Sequence, residues 1–180
     1  MTAGSAAADF NLDSLLIASV GGPEARDKIL GYTSFRSAGS ADLNGLKGQF
    51  QQVFVPPDKL YLELNLGNLN LVQGYDGETA WQIDPNGRPS RLSGFEKREL
   101  LKSVYFESLS YLVDDRMAGG QEYMGLTERD GQTFHEVHFY PMHRDTVRAL
   151  YDTSDGLRRL MISRLDNVQT FTEVSDYRTV

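Results

Sequence analysis

The sequence predicts an α+β protein, mainly antiparallel β, folded as a half-open curved β-barrel with helices across its concave face. Three observations carry this. Turn dipeptides recur at Asn44-Gly45, Asp76-Gly77, Asn86-Gly87, Asp130-Gly131 and Asp155-Gly156, and each suits the positive φ angles of a tight hairpin. The segments between them alternate apolar and polar residues with a period of two. Helical periodicity is confined to a few stretches, so consecutive strands are joined by hairpins and not by crossover helices.

At the start, Leu12–Val20 places Leu12, Leu15, Leu16 and Val20 at helical spacing, and Gly21-Gly22 ends the helix. Pro23 suits a first helical position, and Glu24–Leu30 follows as a second short helix offering Ala25, Ile29 and Leu30 for packing. Leu60, Leu62, Leu64 and Leu66 then point one way while Tyr61, Glu63 and Asn65 point the other. Gly67-Asn68 offers a turn, after which Leu69 and Leu71 restart the pattern; Trp81 and Ile83 share a face ahead of Asp84-Pro85-Asn86-Gly87. Ser93-Gly94-Phe95-Glu96 matches a capping box and opens a helix over Phe95–Leu112. Its apolar stripe is Leu100, Leu101, Val104, Tyr105, Leu109 and Leu112, with Lys97, Arg98, Lys102, Ser103 and Glu107 off it. Asp114–Gly120 reads as the loop that follows. Phe134, Glu136, His138 and Tyr140 share one strand face and His135, Val137 and Phe139 the other; Val147, Ala149, Tyr151 and Leu160, Ile162, Arg164 alternate likewise. Val168–Val174, rich in β-branched residues, reads as the last strand. One sheet of about ten strands with a single mid-sequence helix over part of one face is best satisfied by strong curvature.

The 180 residues suit a single domain over 11–180, behind a segment 1–10 read as disordered or processed. Met1–Ala8 is small and uncharged, without the basic start and apolar middle of a signal peptide, and reads as the remnant of a cleavage region. The chain stops at Asp176-Tyr177-Arg178-Thr179-Val180 inside what reads as a strand, so the domain is expected to be truncated at its C-terminus. No stretch approaches the ~20 apolar residues of a transmembrane helix. Cysteine is absent, which excludes disulfides, thiolate metal sites and thiol nucleophiles. With 18 Lys+Arg against 25 Asp+Glu, a net charge of −7 argues against nucleic acid as a partner.

Catalytic and cofactor signatures are missing. His135 and His138, three apart on a strand, face opposite sides and cannot chelate one ion with His143. The Gly-x-Ser-x-Gly elbow is absent, and Asp152-Thr153-Ser154-Asp155-Gly156 departs from an aspartic-protease Asp-Thr-Gly and reads as a hairpin turn. Gly39 to Gly45 lacks phosphate-loop spacing, and Arg36 and Arg158-Arg159 are scattered surface charges. No catalytic residue, metal or cofactor is assigned, and the chain is read as a non-enzyme. What remains is the helix stripe as a lid over an apolar cavity. Leu101, Val104 and Tyr105 would close it, and Leu62, Leu64, Leu71, Trp81 and Ile83 would form the other wall. The alternative is that these side chains fill the space as an ordinary core.

The segment Gln73-Gly74-Tyr75-Asp76-Gly77-Glu78-Thr79-Ala80-Trp81-Gln82-Ile83-Asp84-Pro85 resembles a motif of the LolA/LolB-like superfamily of outer-membrane lipoprotein-sorting proteins. Ala18–Ala25, Val55–Leu60, Tyr151–Leu157 and Asp176–Val180 are similar to other stretches of that group, so the resemblance spans roughly 12–180. It implies a LolA-like half-barrel with a helical lid, in the periplasm or cell envelope of a bacterium. It also implies a lipid or an acylated lipoprotein as partner, and transport without catalysis. The chain departs from receptor-type members in lacking a lipid-anchoring cysteine. Related domains occur fused to larger modules, including peptidases, so the second expectation is an accessory domain of a larger envelope protein with a filled, non-binding concavity.

Overall fold

The computed structural model describes residues 10–43, 45–84, 86–113, 116–165, 168–175 and 177. The expectations for 1–9, Asn44, Pro85, Asp114, Asp115, Asp176 and Arg178–Val180 lie outside the described residues. The fold is α+β and mainly antiparallel, with three α-helices and eleven strands among the described residues. It divides into two compact units, the described residues of Gly31–Ala118 and those of Met1–Leu30 with Gly119–Val180.

The first unit holds β1 (Phe35–Leu43), β2 (Leu46–Val55), β3 (Lys59–Leu66), β4 (Leu69–Tyr75), β5 (Ala80–Ile83), β6 (Pro89–Arg91) and α3 (Gly94–Glu107). The second holds α1 (Leu12–Ser19), α2 (Pro23–Leu30), β7 (Gln121–Arg129), β8 (Gln132–Phe139), β9 (Val147–Asp152), β10 (Arg158–Leu165) and β11 (Val168–Glu173). Each unit is one antiparallel meander, β1 to β6 in one and β7 to β11 in the other, and neither sheet closes on itself. The expected single sheet is therefore two. After the three-residue β6 the chain turns into α3 and an irregular stretch, and that detour ends the run of hairpins.

Turn chemistry sets much of this. Asp130 (φ 52°) and Gly131 (φ 78°) form a two-residue turn with both residues left-handed, which matches the twist of β7 and β8. The Asp76 carboxylate accepts from the Glu78 and Thr79 amides at 2.9 and 2.7 Å, shaping the loop between β4 and β5. Helix α1 begins at Asn11, whose side chain accepts from the Ser14 amide at 2.9 Å. It ends as predicted at Gly21-Gly22, the Gly22 amide reaching the Ile17 carbonyl at 3.0 Å.

Helix α3 differs from expectation at both ends. Ser93 occupies the N-cap but its side chain makes no capping bond. Gly94 follows at φ +52°, and this left-handed step takes the Ser93 hydroxyl out of the position a capping box requires. The helix stops at Glu107, so Leu109 and Leu112 lie beyond it. Leu109 adopts φ 54° and the Ser110 amide closes on the Tyr105 carbonyl at 3.1 Å, a helix-ending geometry normally given to glycine. Lys102, expected off the stripe, is buried, and its ammonium sits 2.6 Å from the Glu99 carboxylate one turn back.

In the first unit, Phe54, Leu60, Ala80 and Leu92 form one core with Leu100 and Val104 of α3, flanked by Phe35, Tyr75 and Met117. In the second, Phe134, Leu150, Leu160 and Ile162 pack on one face of the sheet. Val137, Phe139, Val147, Ala149 and Tyr151 are buried on the other. This five-stranded sheet is strongly rolled. β7 and β11 are its opposite edges, yet the Arg129 guanidinium lies 5.4 Å from the centre of the Phe171 ring. The roll leaves an open groove of about 260 Å³ between the Asp130-Gly131 turn and the end of β11. No helix among the described residues is long and apolar enough to cross a membrane.

Candidate functional site

The residues expected to form an apolar cavity all belong to the first unit, and strand register decides which of them share a face. Leu64 is paired with Leu71, and Leu62 with Gln73, so Leu62, Leu64 and Leu71 lie on one face of β3–β4. Phe50, paired with Leu64, and Phe54, paired with Leu60, continue this face onto β2. Helix α3 packs on the same face, through the core cluster at the Leu60 end. Here Val104 and Tyr105 are 0% and 1% exposed, whereas Leu101 is half-buried. Burial pushes the Tyr105 phenol up to about 12, so it stays neutral.

Trp81 and Ile83 are on the opposite face. Trp81 is paired with Gly74 and Ile83 with Val72, both of which point away from Leu71. The expected wall of Leu62, Leu64, Leu71, Trp81 and Ile83 is thus divided by the sheet itself. The four-residue loop Asp76–Thr79 sets the parity with which β5 returns along β4, and no pattern within one strand reveals that parity. Tyr61, Gly74 and Trp81 form a row across three strands. The indole lies over Gly74, where a Cβ would come within 2.3 Å of it, and reaches Tyr61 at 6.4 Å between ring centres. Gly74→Ala must therefore displace Trp81, at a cost of about 1–3 kcal/mol. As Trp81 is the sole tryptophan, a shift of its emission maximum in folded protein checks this directly.

Phe50 is the residue the sequence reading missed. It is half-buried on the leucine face, and its ring covers the Cβ-less Gly39 of β1. The spacing of Phe50 and Phe54, four apart on one strand, was the available signal. On this face Phe50, Leu62, Leu64 and Leu71 are half-buried, while Phe54, Leu60 and Ala80 next to α3 are fully buried. The opposite face carries a polar network. The Glu63 carboxylate accepts from Gln51 at 2.6 Å, Tyr61 at 2.9 Å and Asn65 at 2.9 Å, and these bonds hold its pKa below the ordinary carboxylate value.

Two carboxylates of the second unit, Glu136 and Asp152, are equally occupied. Glu136 accepts from Arg148 at 2.8 and 3.1 Å and lies 2.7 Å from the His138 ring nitrogen. The Arg148 bonds lower its pKa. Asp152 accepts from the Ser154 amide and hydroxyl at 2.9 and 2.7 Å and from Gln132 at 2.7 Å, and the Ser154 bonds lower its pKa. His135 faces away from His138, as expected, and lies 3.0 Å from the Tyr123 hydroxyl. No group of three potential metal ligands occurs among the described residues.

These carboxylates make a pH prediction. A carboxyl whose folded pKa is depressed contributes stability that is present above its unfolded value and lost as pH falls through the folded one. Stability is expected to fall as pH drops below about 4.5, the ordinary value for Glu136. Urea midpoints measured between pH 7 and 3 should show a shallower fall for Glu136→Gln than for the unaltered chain.

No protein-family model matches the sequence, and no curated protein matches it. Solved structures with a partial likeness to this chain include two of low identity. One is a DUF1329 family protein from Desulfovibrio piger, 13% identical, with a TM-score of 0.48 over 86% of this chain and 72% of that one. The other is MucB, 11% identical, with a TM-score of 0.30 over 90% of this chain and 55% of the MucB chain.

Proposed function

We propose that the chain is a non-enzymatic module of the bacterial cell envelope that holds a lipid or lipoprotein acyl chain on the leucine face of β2–β4 beside α3. One observation carries this reading. The apolar face continues past the buried core under the helix into Phe50, Leu62, Leu64 and Leu71, which are only half-buried. Half-buried apolar side chains in a contiguous row gain by covering with methylenes, at about 0.8 kcal/mol for each CH₂ removed from water. A few such groups supply several kcal/mol with no polar chemistry, and a chain held on an open face can leave again. Trp81 and Ile83 have no part in this site; Val104 and Tyr105 are the buried side chains that seat α3 itself. The resemblance of the segment around Asp76-Gly77 and Trp81 to lipoprotein-sorting proteins supports the same ligand class and the periplasm.

The test is binding of cis-parinaric acid followed by fluorescence. The unaltered chain is expected to bind it saturably, and Leu64→Glu, which puts a charge on the face, to weaken binding at least tenfold while the circular dichroism is unchanged. A second reading has its own support. Val104 and Tyr105 are so fully buried that the space directly under the helix is filled, as in an accessory domain with no ligand. Absence of probe uptake by the unaltered chain, or equal uptake by Leu64→Glu, favours that reading.

A further inference from the structure

We infer that the outer edge of β1 pairs with the β1 edge of a second copy of this chain, antiparallel and centred on Gly39. β1 ends the six-stranded sheet, with β2 on one side, and no strand among the described residues pairs with its other side. Every residue from Arg36 to Ser40 is exposed, on both faces of the strand. Such an edge is a row of unpaired N–H and C=O groups, and proteins ordinarily guard it with lysine, proline, a bulge or short length. β6, the opposite edge of this sheet, is three residues long and begins with Pro89. β7, an edge of the other sheet, has an irregularity between Tyr123 and Gly125. β1 has no such guard: it runs nine residues without Lys or Pro, and its register with β2 is unbroken.

The residues of β1 decide what fits that edge. Turned end to end about Gly39, the strand sets Arg36 against the second copy's Asp42, Ser37 against Ala41, and Ala38 against Ser40. Opposite charges meet at both ends, no like charges meet, and everything between is small. The backbone agrees with this register. Leu43 and Leu46 are paired across a two-residue connection, which makes them a hydrogen-bonded pair. Alternation then aims the N–H and C=O of Arg36, Ala38, Ser40 and Asp42 outward, so outward groups meet outward groups across the seam. Gly39 meets its own copy in a non-bonded pair, where Cα atoms approach to about 4.5 Å and a missing side chain is an advantage. Arg36 donates its Nη2 to Gln51 at 3.1 Å, and the Asp42 Oδ1 accepts from the Gly45 amide at 2.9 Å. Each bond occupies one atom, which leaves the remaining guanidinium donors and Oδ2 to meet each other. The pairing stands independently of the acyl-chain reading.

The test is sedimentation equilibrium of the whole chain over a series of concentrations, which should show monomer and dimer in exchange. Arg36→Asp sets carboxylate against carboxylate at both ends and should weaken the dimer about tenfold. Adding Asp42→Arg to that variant restores opposite charges and should recover the dimer, which a misfolded strand would not do. The register has its own readout, because the chain contains no cysteine. Gly39→Cys, whose Cβ position meets only the movable Phe50 ring at 3.0 Å, should link two copies under mild oxidation. Lys47→Cys, exposed on β2 and one strand away from the seam, should not. A chain that stays monomeric at every concentration leaves the edge to another protein's strand and overturns the inference. So does a dimer that Arg36→Asp leaves unchanged and Gly39→Cys fails to cross-link.

Discussion

Gly48→Ala is expected to be the most damaging small substitution in the first unit. Gly48 is paired with Leu66 at the start of β2, where β2 and β3 approach so closely that a Cβ would sit 1.7 Å from the Asn65 carbonyl oxygen and 2.9 Å from the Leu66 Cα. Both are backbone atoms inside a hydrogen-bonded ladder, so no side-chain rotation relieves the clash. The strands must separate or the register must slip, and a slip turns every leucine of β3 to the wrong face. We expect a loss of about 3 kcal/mol, a fall in Tm of about 6–12 °C for a chain of this size. Gly120→Ala is the control. Nothing lies within 4 Å of its Cβ position, and its stability should change by less than about 0.5 kcal/mol.

Leu60→Ala and Leu64→Ala should separate core from site. Leu60 is 3% exposed in the cluster with Phe54, Ala80, Leu100 and Val104, so truncation leaves a cavity between sheet and helix and costs about 2–5 kcal/mol. Leu64, two pairs along the same strand, is half-buried and opposite Leu71. Its truncation should cost about 1 kcal/mol but weaken acyl-probe binding, whereas Leu60→Ala protein that remains folded should bind the probe as before. Urea unfolding and probe titration on the same samples check both halves. Equal loss of stability in the two variants would mean that the leucine face is core along its whole length.

Local features were the legible ones. Asp130-Gly131 gives its hairpin because the two residues that must adopt positive φ are adjacent in sequence and of the types that tolerate it. Gly21-Gly22 closes α1 for the same reason. The strand alternation of β3 and β8 also reads directly, and with it the opposite facing of His135 and His138. What the pattern could not carry is the relation between strands. Trp81 and Ile83 read as partners of Leu71 until the register of β4 with β5 places them on the far side. The apolar spacing of α3 continues through Leu109 and Leu112, past its end at Glu107. A leucine in left-handed conformation ends a helix without any glycine to announce it. Both errors arise where the deciding constraint is tertiary, and both altered the proposed site more than the fold.

An acyl chain bound as proposed would lie on the Phe50–Leu62–Leu64–Leu71 face and nowhere on the Trp81 face. Methyl and indole NMR signals measured with stearic acid carrying a nitroxide on its tail test it most directly, because paramagnetic broadening maps where the tail lies. The account predicts selective loss of the Leu62, Leu64 and Leu71 methyl signals, with the Trp81 indole and Ile83 methyl signals retained. Broadening centred on Trp81 and Ile83, or none at saturating lipid, would contradict it.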